Sequence, residues 1–216
     1  MRWPKAHLKG AAAPLRYTPV VNHPAPNLWR MSNYIRAKAP GGTYFFTARL
    51  HDRNSDLLVR EIDCLRRAMR LTMSRHPFQI DAIVVLPAVI HTIWSLPPDD
   101  VEFSNRWGML KSLFSRDLPT PAYRTQAQVK RGEKGIRQRR FWEHLIRDAD
   151  DLAAHRQMIY SAPVQAGLVA HPGDWTWTSL HRDLAQRHRE ANPVPPVGYS
   201  RRCRDGAGKP HLTSSR

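Results

Sequence analysis

The stretch "FQIDAIVVLPAVIHTIWSLP", residues 78–97, decides the fold. Two runs rich in β-branched and apolar residues, 78–87 and 89–97, flank a tight connection at Pro87-Ala88, so the segment reads as a β-hairpin. One imidazole, His91, interrupts the second run. An apolar strand has little reason to carry it unless the ring binds a metal or is satisfied by a neighbour, and the sequence supports both readings equally.

Working outward, "TYFFTARL" (43–50) follows the Gly41-Gly42 break and reads as another strand. Between it and the hairpin, residues 56–77 carry Leu58, Ile62, Leu65, Met69 and Thr72 or Met73 at steps of three and four, which predicts one helix stopped by Pro77. Residues 100–119 predict a second helix, capped near Ser104, with Trp107, Leu110 and Phe114 as its buried stripe. Residues 120–140 are polar and basic and read as a loop or flexible hairpin. "RFWEHLI" (140–146) reads as a strand, and of Phe141 and Trp142 one is expected inward and one outward. The acidic start of 148–169 suits a helix N-terminus, with Pro163 ending or kinking a helix that runs to about Tyr160. Trp175 and Trp177 predict a packed aromatic corner before a short final helix.

The order strand, helix, strand, strand, helix, strand, helix is the split βαβ arrangement. It predicts an α+β, ferredoxin-like fold: an antiparallel sheet with helices on one face, plus a C-terminal helix. The expected domain is 31–187. Residues 1–30 read as a disordered leader or an over-extended start upstream of Met31, and 188–216 as a disordered basic tail.

Composition narrows the function. The chain has 216 residues, with Lys and Arg totalling 34 against 18 Asp and Glu, a formal charge of +16. That excess favours a polyanion partner through counterion release. No stretch approaches the roughly 18 apolar residues a membrane span needs, and no secretion signal is evident. The two cysteines, Cys64 and Cys203, form no disulfide or zinc pattern, and Cys64 reads as a small buried hydrophobe. A cytoplasmic, nucleoid-associated bacterial protein is expected. Lys130, Arg131, Lys134, Arg137, Arg139, Arg140 and Trp142, joined by His144, form the candidate nucleic-acid surface, since cations interleaved with aromatics suit unpaired bases and hairpin tips.

Taken in order, "GGTYFFTARL", "VVLPAVIHTIWSLP", "RWGMLKSLFSR", "RQRRFWEHLIRD", "APVQAGLV" and "DWTWTSLHRD" resemble the REP-associated tyrosine transposases of the HUH single-strand transposase superfamily, over about residues 31–185. The resemblance implies a partner, a single-stranded or hairpin DNA repeat. It implies strand cleavage through a 5′-phosphotyrosine and a Mg²⁺ or Mn²⁺ held by two histidines one residue apart on a strand, with a third polar ligand. It also implies where those groups belong. His91 matches the second histidine, and Val89 stands at the first. Met158 stands at the nucleophile, and Ala162, one turn on, at the polar metal-facing residue.

A thioether has no proton to lose, and valine cannot coordinate a hard cation. The resemblance therefore implies a DNA-binding protein with impaired chemistry. Two alternatives stand beside it: an active nicking enzyme that uses Tyr160 as a weak substitute, and a non-catalytic RNA- or DNA-binding regulator. Tyr160 lies about 200° around the helix from Met158. His155, three residues before Met158 on the same face, reads as an exposed helical histidine more than a ligand. Monomer and dimer both fit.

Overall fold

The computed structural model describes residues 38–121, 124–138 and 140–191. The expected leader, Arg139, Cys203 and all but the first four residues of the expected tail lie outside them. The elements are β1 (Thr43–Arg49), α1 (Leu57–Arg60), α2 (Ile62–Arg75), β2 (Gln79–Val85), β3 (Val89–Ser95), α3 (Phe103–Arg116), α4 (Gln126–Lys130), β4 (Trp142–Leu145), α5 (Ala149–Gln165) and α6 (Leu180–Ala191), with a 3₁₀ turn at Pro172–Asp174 before α6. The sheet order is β2-β3-β1-β4. Every adjacent pair is antiparallel, as the split βαβ reading requires.

Alternation along the strands sorts the side chains between two faces. On one face lie Tyr44 and Phe46 of β1 and Trp94 of β3, with Phe103 and Trp107 of α3 against them. Trp94 and Trp107 stack with centroids 4.5 Å apart, and both are fully buried. Phe141 packs inward on Phe46 and Trp107, whereas Trp142 is 52% exposed, so the expected split between the two holds. α2 lies beside α3, and Cys64 is buried against the Phe114 carbonyl. Arg106, also buried, ties this layer together. Its guanidinium donates to both carboxylate oxygens of Asp100, at 3.1 and 2.6 Å, and to the carbonyls of Glu102 and Pro77. The hydrogen bond from Arg106 holds the Asp100 carboxyl below its usual range.

The second face carries Phe45 and Thr47 of β1, Val89, His91 and Ile93 of β3, Val84 of β2, and Trp142 and His144 of β4. The registers Val84↔His91, Thr47↔His91 and Thr47↔Trp142 form one row, and Phe45↔Ile93 and Phe45↔His144 the next. α5 covers this face, with His155 lying on the Phe45 ring. The outer border of β2 is sealed by the segment around Trp177. Val85 N–H donates to the Trp177 carbonyl, Ser179 N–H to the Ile83 carbonyl, and Ile83 N–H to Ser179 Oγ. Trp177 is buried and Trp175 Nε1 donates to the Val85 carbonyl, which makes the expected aromatic corner.

Several boundaries differ from those expected. The helix of 56–77 breaks at Glu61 into α1 and α2. Residue Glu102, not Ser104, precedes α3, and no side chain caps it; Asp100 Oδ1 instead accepts from Glu102 N–H. The basic loop contains α4, held by a capping box in which Thr125 Oγ1 accepts from Gln128 N–H and Gln128 Oε1 accepts from Thr125 N–H. α5 passes through Pro163 to Gln165, because a proline near the C-terminal end removes a single hydrogen bond while its ring is buried. α6 extends to Ala191, past Arg187 where the domain is expected to end. Among the described residues, no helix is long and apolar enough to cross a membrane.

Candidate functional site

His91 sits mid-strand on β3, buried under α5 and 7% exposed. Its Nδ1 is 2.9 Å from Thr47 Oγ1, the residue directly across β1, and its ring stacks on Phe45. Burial, then the positive charge of Arg49, pulls the imidazole down to about 3, so the ring is neutral. Val89 shares the same face, two residues back, and is buried. Met158 and Ala162 lie one turn apart on α5; Met158 is packed against the core and Ala162 is buried.

These positions do not fit a divalent cation. Val89 and Ala162 carry no donor atom, His91 already has Thr47 as a partner, and Arg49 adds a like charge close enough to depress the imidazole.

Tyr160 faces elsewhere. Its hydroxyl donates to Asp183 Oδ2 on α6, and burial followed by this carboxylate pushes the phenol up to about 12. Next to that bond runs a groove of about 720 Å³ bordered by Arg156, Arg182, Arg187, Asp81, Asp183 and Glu190. Its three arginines meet three carboxylates, and Arg182 is already bonded to the Ile80 and Asp81 carbonyls. The groove is therefore not a concentrated basic site.

The structure also separates the members of the expected nucleic-acid patch. Lys130, Arg140 and Trp142 are exposed. Arg131 is exposed and paired with Glu133. Lys134 Nζ instead donates to the Arg116 and Leu118 carbonyls, closing the C-terminal end of α3. Arg137 lies over the Phe114 ring and donates to Ser115 Oγ, with burial pulling its guanidinium below the usual arginine range. His144 turns toward α5 and bonds Asp151.

His155 departs from the expected exposed helical histidine. Its side chain is 12% exposed, between the Phe45 and His144 rings, with its Nδ1 directed at Asp151. The signal in the sequence was the Asp151-x-x-x-His155 spacing, which puts both residues on one helix face. The partner from β4, His144, is invisible until the strand is placed.

Comparisons with known proteins bear on this site. No family model matches the chain. It is 44% identical over 155 residues to a Haemophilus influenzae protein assigned as a REP-associated tyrosine transposase, covering 71% of this chain and 88% of that protein. It is 40% identical over 156 residues to the REP-associated tyrosine transposase of Escherichia coli K12, covering 72% and 87%. A solved structure, described as a REP-associated tyrosine transposase bound to a REP hairpin, aligns with a TM-score of 0.64 and 36% identity. The alignment takes in 85% of this chain and all of that one. On this identity, this coverage and the shared antiparallel sheet, the chain belongs to the REP-associated tyrosine transposases.

Proposed function

We propose that the chain binds hairpin or single-stranded repeat DNA and is impaired in strand cleavage, acting in the cytoplasm at the nucleoid. Binding is supported by the net charge of +16 and by the REP hairpin bound to the transposase of the similar solved structure. The exposed Lys130, Arg131, Arg140 and Trp142 are the residues assigned to it, with Arg139 beside them in sequence. Trp142 offers an indole face for an unpaired base, and the arginines meet phosphate. Lys134 and Arg137 are left out because their charged ends are bonded to the C-terminal end of α3.

One observation carries the impairment. The nucleophile position is Met158, and the nearest tyrosine in sequence, Tyr160, is bonded to Asp183 on α6. A phenol held up at about 12 and donating to a carboxylate is a poor source of phenolate. The reading with Tyr160 as substitute nucleophile is therefore disfavoured. No step is assigned to the family's Mg²⁺ or Mn²⁺, since positions 89, 91 and 162 do not fit it.

The test incubates the purified chain with a labelled repeat hairpin and Mn²⁺. Saturable binding without a covalent protein–DNA adduct is expected; efficient covalent capture by the unaltered chain refutes impairment. A triple variant, Val89→His with Met158→Tyr and Ala162→Asn, should form the adduct if the scaffold is otherwise intact. Matched RNA and DNA hairpins in competition separate a transposase-type binder from an RNA-binding regulator.

A further inference from the structure

A different group of side chains on the same sheet face has the chemistry that positions 89, 91 and 162 lack. His144 comes from β4, and Asp151 and His155 from the first turns of α5. One donor atom from each lies within 4.8 Å of the other two. We propose that His144, Asp151 and His155 bind a first-row transition-metal dication.

The donor set is two imidazoles and one carboxylate, the N₂O combination that suits Zn²⁺, Co²⁺ or Mn²⁺ better than Mg²⁺. The carboxylate is central. Asp151 Oδ2 lies 2.9 Å from His144 Nε2, and Oδ1 lies 3.0 Å from His155 Nδ1. Burial pushes Asp151 up, yet the His144 hydrogen bond and the Arg147 backbone N–H outweigh it and bring the carboxyl to about 2. An ionised carboxylate can only accept, so His144 Nε2 carries a proton that a cation would replace. His155 Nδ1 also donates to the Asp151 carbonyl at 2.8 Å, which leaves Nε2 as the nitrogen with a lone pair. A ring fixed through its other N–H by a backbone carbonyl is how metal-binding histidines are usually oriented.

The setting is equally suited. Donor atoms around a tetrahedral zinc stand about 3.3 Å apart for bonds of about 2 Å. The His144 Nε2–Asp151 Oδ2 pair, at 2.9 Å, already falls inside that spacing, and the His155 ring stacks on the His144 ring beside it with centroids 4.6 Å apart. Asp151 and His155 are 10% and 12% exposed and His144 26%, so all three ligands are largely shielded, with His144 the most open to solvent. Arg147 Nε, 3.4 Å from Asp151, competes for the carboxylate, but its side chain is 74% exposed and free to swing away. The bound ion would clamp the start of α5 to the edge strand β4, one turn from Met158.

The experiment titrates the untagged, chelator-treated full chain with Co²⁺ and with Zn²⁺, reading visible d–d absorption and equilibrium dialysis. One ion per chain is expected, with the tetra- or penta-coordinate Co²⁺ spectrum and displacement by Zn²⁺ but not by equimolar Mg²⁺. Asp151→Asn and His144→Gln should each weaken binding at least about tenfold. His91→Gln should leave it unchanged. Circular dichroism checks the fold, and His144→Gln, on the sheet border, retains an answer if Asp151→Asn disturbs the helix start. Absence of saturable binding, binding that survives both cluster variants, or binding lost with His91→Gln overturns the proposal.

Discussion

Replacing His91 with glutamine should remove most of the acid sensitivity of this fold between pH 6.5 and 4.5. In the native state the imidazole is drawn from 6.5 to about 3, chiefly by burial and then by Arg49. A histidine with a depressed native pKa binds a proton in the unfolded chain first. Its contribution is therefore intact above pH 6.5 and is lost as pH falls toward the native value. The cost approaches about 1.4 kcal/mol per pH unit below the unfolded value, so lowering the pH from 6.5 to 4.5 should remove about 2.3 kcal/mol. That is a large share of the ~5–15 kcal/mol of a typical domain. The window is clean on its acid side, because Asp100 and Asp151, both depressed from 3.8, add their own losses only as pH falls below about that value. Glutamine keeps a group able to bond Thr47 but does not titrate. Urea unfolding of both proteins at half-unit steps should give a steep slope for the wild-type chain and a shallow one for the variant. Parallel slopes, or a flat wild-type profile, would refute a neutral, desolvated His91.

Three further variants probe the nucleic-acid surface and the core. Trp142→Ala should weaken hairpin binding by about 1–3 kcal/mol, the usual worth of one base–aromatic stack, and leave the salt dependence of fluorescence anisotropy titrations unchanged; Arg140→Ala should instead lower the salt slope by about 1. Asp100→Ala should destabilise the chain by about 3 kcal/mol in denaturant unfolding, since it strands the buried Arg106 guanidinium without its carboxylate.

The fold was legible because its signals are local. Runs of β-branched, aromatic and apolar residues in 43–50 and 78–97, bounded by Gly and Pro breaks, set the strands, and the stripe Trp107, Leu110 and Phe114, all fully buried, set α3. What was missed depends on partners far along the chain. Lys134 looked like one more loop cation until the end of α3, 16 and 18 residues back, came to accept from it. Arg137 looked the same, yet Phe114 and Ser115 hold it. The Thr125/Gln128 capping box, by contrast, was readable and is the local feature that turns part of a nominal loop into α4. At the site, positions 89, 91, 158 and 162 came from the family resemblance, and the fold puts Val89 and His91 on the sheet face that α5 covers. The junction of His144 with Asp151 and His155 was not legible, because it joins a strand to a helix through a turn whose direction no motif announces.

The seal along β2 has a consequence for how this chain tolerates shortening. An open sheet margin is a template for other chains, and here backbone groups of Ile83 and Val85 on that margin are engaged by Trp177 and Ser179. A version ending at Asp174 would keep all four strands but bare those groups, together with the flank that Trp175 and Trp177 now roof. Such a truncated chain is expected to self-associate by strand-to-strand addition while retaining its native β content, so loss of the last helix would register first as insolubility.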